Sequence, residues 1–226
     1  MFVCNLRSFL PSLRNTALGA VLMTMSAATG ANLIIDGDFA SGTLDAWTTF
    51  TTDNGTIGTP LVRPFETIEG VASNAASFNV GRLPNTEGEG GGGIFQEFTF
   101  GGGTLTASMD VASFLDAGPG TANTNAGIFS LLLNGIVVDS IDFGRIEGGE
   151  ILRSHLQFTG ALDVGESELR VLITRPFVQP SGLRQYVDNI AVFQESDVPV
   201  PVPAPGTLAL LGIGLAGLAL TRRRKR

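Results

Sequence analysis

Between residues 32 and 193, apolar and polar positions alternate in short runs broken by Gly, Asn, Asp or Pro, the pattern of antiparallel β-structure. The clearest runs are IFQEFTF (94–100), TLTASMDV (104–111), IFSLLL (128–133), IVVDSI (136–141), HLQFT (155–159), ELRVLIT (168–174) and QYVDNIAVF (185–193), and each predicts a strand. Asn134-Gly135 separates two of them and predicts a tight hairpin, because a type I′ turn needs φ > 0 at both central positions. No segment here sustains a helical period. The expected fold class is all-β: a two-sheet antiparallel β-sandwich of jelly-roll type over residues 32–194.

The alternation fails at both ends. Near the start, Arg7 and Arg14 precede the apolar run TALGAVLMTMSAA (16–28) and the small-residue stretch SAATGA (26–31), which together predict a secretory signal over 1–31, cleaved between Ala28 and Asn32. Near the finish, residues 195–205 alternate proline with valine and alanine and predict an extended spacer. An uncharged apolar helix over 206–221 comes next. Counted from Ala204 to Thr221 the uncharged stretch reaches 18 residues, about 27 Å against a hydrocarbon core of about 30 Å, so a single membrane span is expected. Arg222, Arg223, Arg224, Lys225 and Arg226 form a basic stop that places the C-terminus in the cytoplasm and the domain outside.

Charge sharpens the picture. Seven of the 14 basic residues lie in those two end segments, which leaves seven basic against 21 acidic residues between them, a net of −14 with no lysine. Such a surface repels phosphate backbones and excludes nucleic acid as a partner. The only cysteine, Cys4, precedes the first apolar run, so no disulfide contributes to the fold and no lipid is attached there.

Candidate chemistry is sparse. The stretch GEGGGG (88–93) satisfies the G-x-G-x-x-G spacing but precedes a strand and opens no helix, so it predicts a flexible loop instead of a dinucleotide site. His155, the only histidine, shares the polar face of its strand with Gln157 and Thr159 and is expected to be solvated. Without a second histidine or a cysteine in the domain, Cys/His metal clusters and Cys-His dyads are excluded. Asp139/Asp142 and Glu147/Glu150 are the carboxylate pairs a glycan hydrolase would need, yet none stands out from the scattered acids. No catalytic residue is assigned and no enzyme activity is expected.

The tail resembles the PEP-CTERM sorting signal in its order: a proline motif, a Gly/Leu-rich span and a terminal arginine cluster. Val202, Pro203, Ala204, Pro205, Gly206, Thr207 and Leu208 occupy the motif, with Ala204 where the family has glutamate. The resemblance implies an exosortase-type processing enzyme as partner, transient anchoring in the inner membrane of a Gram-negative bacterium, and release to the cell surface or matrix. The logic is that of a hydrophobic tail read as an address and then discarded.

The segments NLIIDGDFASGTLDAWTTF (32–50) and QYVDNIAVF (185–193) resemble the opening and closing strands of carbohydrate-binding-module-like, galactose-binding-type jelly rolls. That resemblance implies a structural calcium held by Asp36, Asp38 and Asp188, although the family's glutamate is Ala40 here; no other cofactor is implied. It also implies sugar stacking by exposed rings, for which Trp47 and Tyr186 are the only Trp and Tyr, with a core role equally open to both. The expectation is a non-enzymatic structural or adhesive surface protein, with binding of a neutral polysaccharide as the alternative and a secreted hydrolase as a remote one.

Overall fold

In the computed structural model, residues 30–178, 180 and 182–195 are described. The signal segment up to residue 29, the spacer past Glu195, the membrane span and the basic stop lie outside them. Among the described residues no helix is long and apolar enough to cross a membrane.

The strands are β1 (Thr48–Thr51), β2 (Gly55–Thr56), β3 (Leu61–Ile68), β4 (Val71–Phe78), β5 (Gly81–Arg82), β6 (Gly90–Phe100), β7 (Gly103–Leu115), β8 (Ala122–Asn123), β9 (Ile128–Leu133), β10 (Ile136–Asp142), β11 (Ile146–Glu147), β12 (Ile151–Leu162), β13 (Gly165–Arg175) and β14 (Leu183–Gln194). They form two five-stranded sheets, β1-β6-β13-β9-β10 and β12-β7-β14-β4-β3, with the short pairs β2-β5 and β8-β11 beside them. Neighbouring strands within the two large sheets are antiparallel. All seven runs predicted from alternation lie within strands. At the β9–β10 turn Asn134 and Gly135 have φ of 50° and 78°, as the hairpin requires.

The alternation becomes the core. Leu105, Ala107, Met109 and Val111 of β7 face Phe129 and Leu131 of β9 and Leu169, Val171 and Ile173 of β13, all fully buried, while Thr106 and Ser108 point away. Such two-sided packing separates the sheets by about 10 Å.

The glycine run corrects the expectation of a flexible loop. Gly90, Gly91, Gly92 and Gly93 are buried inside β6, paired with Arg175, Thr174, Ile173 and Leu172 of β13. The β2–β5 pair lies on this strand: a Cβ on Gly55 would collide with the backbone of Gly91, and one on Gly91 with the carbonyl of Ile173. Glycine is present here for close approach of backbones, not for mobility.

The opening segment closes the second sheet. β14 pairs with β4 only through Gln185, Tyr186 and Val187. Further along, the opening segment takes that edge: Leu33 N donates to Val192 O (2.8 Å), Ile190 N to Gly37 O (2.9 Å), and Asn32 bridges Phe193. Gly37 is required because a Cβ there would strike the Ile190 carbonyl. Gln96 staples the segment, donating to Ile35 O and Ala46 O and accepting from Ile35 N. Gly30 and Glu195 therefore leave the sandwich at one end, beside Gln194 and Thr104.

Candidate functional site

Both rings proposed for sugar stacking are core residues. Trp47 is 6% exposed, packs against Phe39 at 5.9 Å and donates from Nε1 to Asp36 O at 3.2 Å. Tyr186 is 3% exposed and stacks on Phe65, with Ala75 and Ala112 in the same cluster. Each holds its segment of the resemblance in place, and neither offers a free face to a sugar.

The outer face of the β12-β7-β14-β4-β3 sheet carries a row of titratable groups. His155, Asp110 and Asp188 are directly opposite one another across β12, β7 and β14. His155 is exposed, as the alternation predicts, but it is not simply solvated: its Nδ1 lies 2.7 Å from Asp110 Oδ1. Asn189 links the carboxylates, donating from Nδ2 to Asp110 Oδ2 (2.8 Å) and from its backbone N to Asp188 Oδ1 (2.7 Å). Asp188 Oδ2 accepts from the hydroxyls of Ser73 and Thr67. Desolvation pushes the fully buried Asp188 carboxyl above the ordinary range; the Ser73, Asn189 and Thr67 bonds oppose this and the charge of Asp110 adds to it.

The calcium ligand set implied by resemblance does not converge. Asp36 turns back on its own loop, accepting from Ser41 N (3.0 Å) and Ser41 Oγ (2.5 Å), and Asp38 Oδ1 accepts from Ala40 N (3.3 Å). Both line a hollow of about 330 Å³ with Gly37 and Asn189, and Asp188 is not part of its wall. Among the described residues no three His, Cys, Asp or Glu side chains form a metal centre. The acid pairs are likewise engaged locally: Asp139 accepts from Ser140 N and Gln157 N, Asp142 from Gly144 N, Glu150 from Glu147 N, and Glu147 pairs with Arg145.

A second face went unread in the sequence. On the β1-β6-β13-β9-β10 sheet, Arg170 lies over the rings of Phe50 (4.5 Å) and Phe95 (5.1 Å) and makes a bidentate pair with Glu168, both bonds 2.9 Å. Phe50 and Phe95 meet edge-on at 6.2 Å, and both are half-buried. The available signal was alternation itself: in IFQEFTF, Ile94, Gln96, Phe98 and Phe100 are buried, leaving Phe95 as an aromatic on the same face as Glu97 and Thr99. Half-buried rings beside a fixed charge pair combine apolar surface and hydrogen-bonding groups at one place on the sheet.

Residues 201–225 match the PEP-CTERM protein-sorting motif. No curated protein matches the chain. Similar solved structures include the module TmCBM61 in complex with β-1,4-galactotriose, at 11% identity over 73% of this chain and 99% of that one, TM-score 0.44. Others are a family 16 carbohydrate-binding module (16% identity, 72% and 100% covered, TM-score 0.39) and a family 22 xylan-binding domain (15%, 72% and 95%, 0.39). The chain is a two-sheet β-sandwich protein that ends in a PEP-CTERM protein-sorting motif.

Proposed function

We propose that this protein is exported, held in the inner membrane by its tail, processed there by an exosortase-type enzyme, and delivered to the cell surface or matrix, where the sandwich has a non-enzymatic structural or adhesive role. The observation that carries the reading is the sorting motif at residues 201–225. The fold is compatible with it: the domain's first and last described residues emerge at one end, so a tail anchored there leaves both outer sheet faces and the far end free. Intact-mass measurement of the exported protein, from cells with and without the processing enzyme, tests it. Residues 209–226 are expected to be missing from the exported form and retained when the enzyme is deleted; their retention on exported protein in normal cells sinks the processing step.

The Phe50–Arg170–Phe95 surface favours a second reading, contact with a neutral polysaccharide. An acidic domain repels uronate or phosphorylated polymers, and two half-buried rings give an expected Kd on the order of 0.1–1 mM. Calorimetric titration with neutral glycan oligomers should show heats that Phe50→Ala removes without shifting the thermal melt. Heats unchanged in Phe50→Ala would place any binding elsewhere.

A further inference from the structure

We infer that Asp188 is completed by this chain's own hydroxyls, those of Ser73 and Thr67, and that these bonds, in place of a bound calcium, dock the β3–β4 hairpin onto the sandwich. The ladder between β4 and β14 has only three pairs, Phe78 with Gln185, Ser77 with Tyr186 and Ala76 with Val187. It stops where Asp188 begins, and from Ile190 onward the opening segment occupies that edge of β14. Residues 71–75 therefore have no backbone ladder to β14. Toward β14 and the opening segment the polar connections that remain are side-chain ones: Ser73 and Thr67 to Asp188, and Asn74 Nδ2 to Phe39 O at 3.0 Å. On the outer face Arg153 of β12 reaches Glu66, donating from Nε to its carbonyl O at 2.8 Å and pairing with its carboxylate at 3.5 Å.

The carboxylate is engaged at both oxygens. Oδ1 takes the Asn189 N–H and Oδ2 takes both hydroxyls, with Thr67 2% exposed and Asp188 not exposed at all. A cation at Oδ2 would require both hydroxyls to turn their hydrogens away and other carboxylates to approach. Asp36 and Asp38 are committed to their own turn, and Ala40 has no oxygen in its side chain to give. Ser73 and Thr67 thus act as positioning residues, closing by hydrogen bonds a junction that the resemblance assigns to a metal.

The test is hydrogen exchange and thermal melting of the full-length chain in mild detergent, with EDTA or excess calcium, for the wild type, Ser73→Ala, Thr67→Val and Thr67→Ser. Wild-type melts should coincide under the two conditions. Ser73→Ala and Thr67→Val should lower Tm by about 2–6 °C and speed exchange in residues 65–75 by about tenfold or more, with β6 and β13 unaffected. Thr67→Ser, which keeps the hydroxyl, should retain wild-type protection. A calcium-induced rise in wild-type Tm that Ser73→Ala abolishes would make the same oxygens a cation site and overturn the inference. Unchanged hairpin exchange in both hydroxyl-free variants, or loss of protection in Thr67→Ser, would overturn it too.

Discussion

Tyr186 lies flat on Phe65, ring centroids 3.6 Å apart and planes 4° apart, so the chain's only tyrosine ties the edge strand β3 to the central strand β14. Phe114 extends the cluster, 6.2 Å from Phe65. Burial of two aromatic rings makes this contact a stability element: Phe65→Ala and Tyr186→Ala should each cost about 2–4 kcal/mol. Tyr186→Phe, which keeps the stack, should stay within about 0.5 kcal/mol. Urea unfolding of the three variants decides it; a large loss in Tyr186→Phe would show that the phenol oxygen, not the ring, is what matters.

The Asp188 carboxyl gives the domain a pH signature. Burial raises its pKa in the folded state, so ionising it costs more folded than unfolded. Its contribution is therefore fully present below the ordinary carboxylate value of about 3.9 and is lost as pH rises through the raised folded value. Asp188→Asn keeps an acceptor for Asn189 N and removes the ionisation. The stability of this variant relative to wild type should climb as pH rises above about 4 and level off once the raised folded value is passed. Denaturant titrations of both proteins across that range test it, and a difference that does not vary with pH refutes the assignment.

Alternation made the interior strands legible because β6, β7, β9, β13 and β14 each bury one face in a single core. It failed on the outer hairpin. In β3, LVRPFETI is interrupted by Pro64 on a sheet edge, and in β4, VASNAASF has small residues where Ala75 and Ala76 must be fully buried, so neither run announces a strand. The glycine run was misread for a related reason: absence of side chains has the same appearance in sequence whether it gives a loop or lets two backbones touch. The partners of Asp188 had no local signal at all, since Ser73 and Thr67 are 115 and 121 residues away in the chain. The Trp47 and Tyr186 positions were legible as parts of the opening and closing segments, whereas their burial depended on how the opening segment folds Phe39 back onto Trp47 and on Phe65 arriving from β3.

Among the described residues Arg175 is the largest fully buried side chain, and it donates to three neutral acceptors: Nε to Asn125 O (2.8 Å), Nη2 to Asn123 Oδ1 (2.7 Å) and Nη1 to Val80 O (3.3 Å). Burial lowers its pKa to about 10, which leaves it charged at neutral pH. It ties the end of β13 to the chain on either side of the sandwich. Arg175→Met removes the charge but strands the Asn125 and Val80 carbonyls, and a loss of about 2–4 kcal/mol is expected. Arg175→Lys should not restore it, because a single ammonium cannot span the three acceptors. Chemical unfolding measures both; a fully stable lysine variant would mean that charge alone suffices.

Two positions of the glycine run, Gly88 and Gly91, should answer differently to the same added methyl. Gly88 has φ of 76° and a Cβ there meets nothing nearer than Asn54 Nδ2 at 4.0 Å, so Gly88→Ala carries only the cost of a left-handed backbone, about 1 kcal/mol. Gly91→Ala has no such freedom: its methyl would enter the Ile173 carbonyl and the Val80 side chain inside the β6–β13 ladder. Neither backbone can yield without breaking pairs on both sides, so a loss above about 4 kcal/mol is expected, enough to leave a domain of this size largely unfolded. Circular dichroism melts of the two variants separate the cases. Equal, mild effects would return residues 88–93 to the flexible loop that composition alone suggests, and would detach the β2–β5 pair from the strand beneath it.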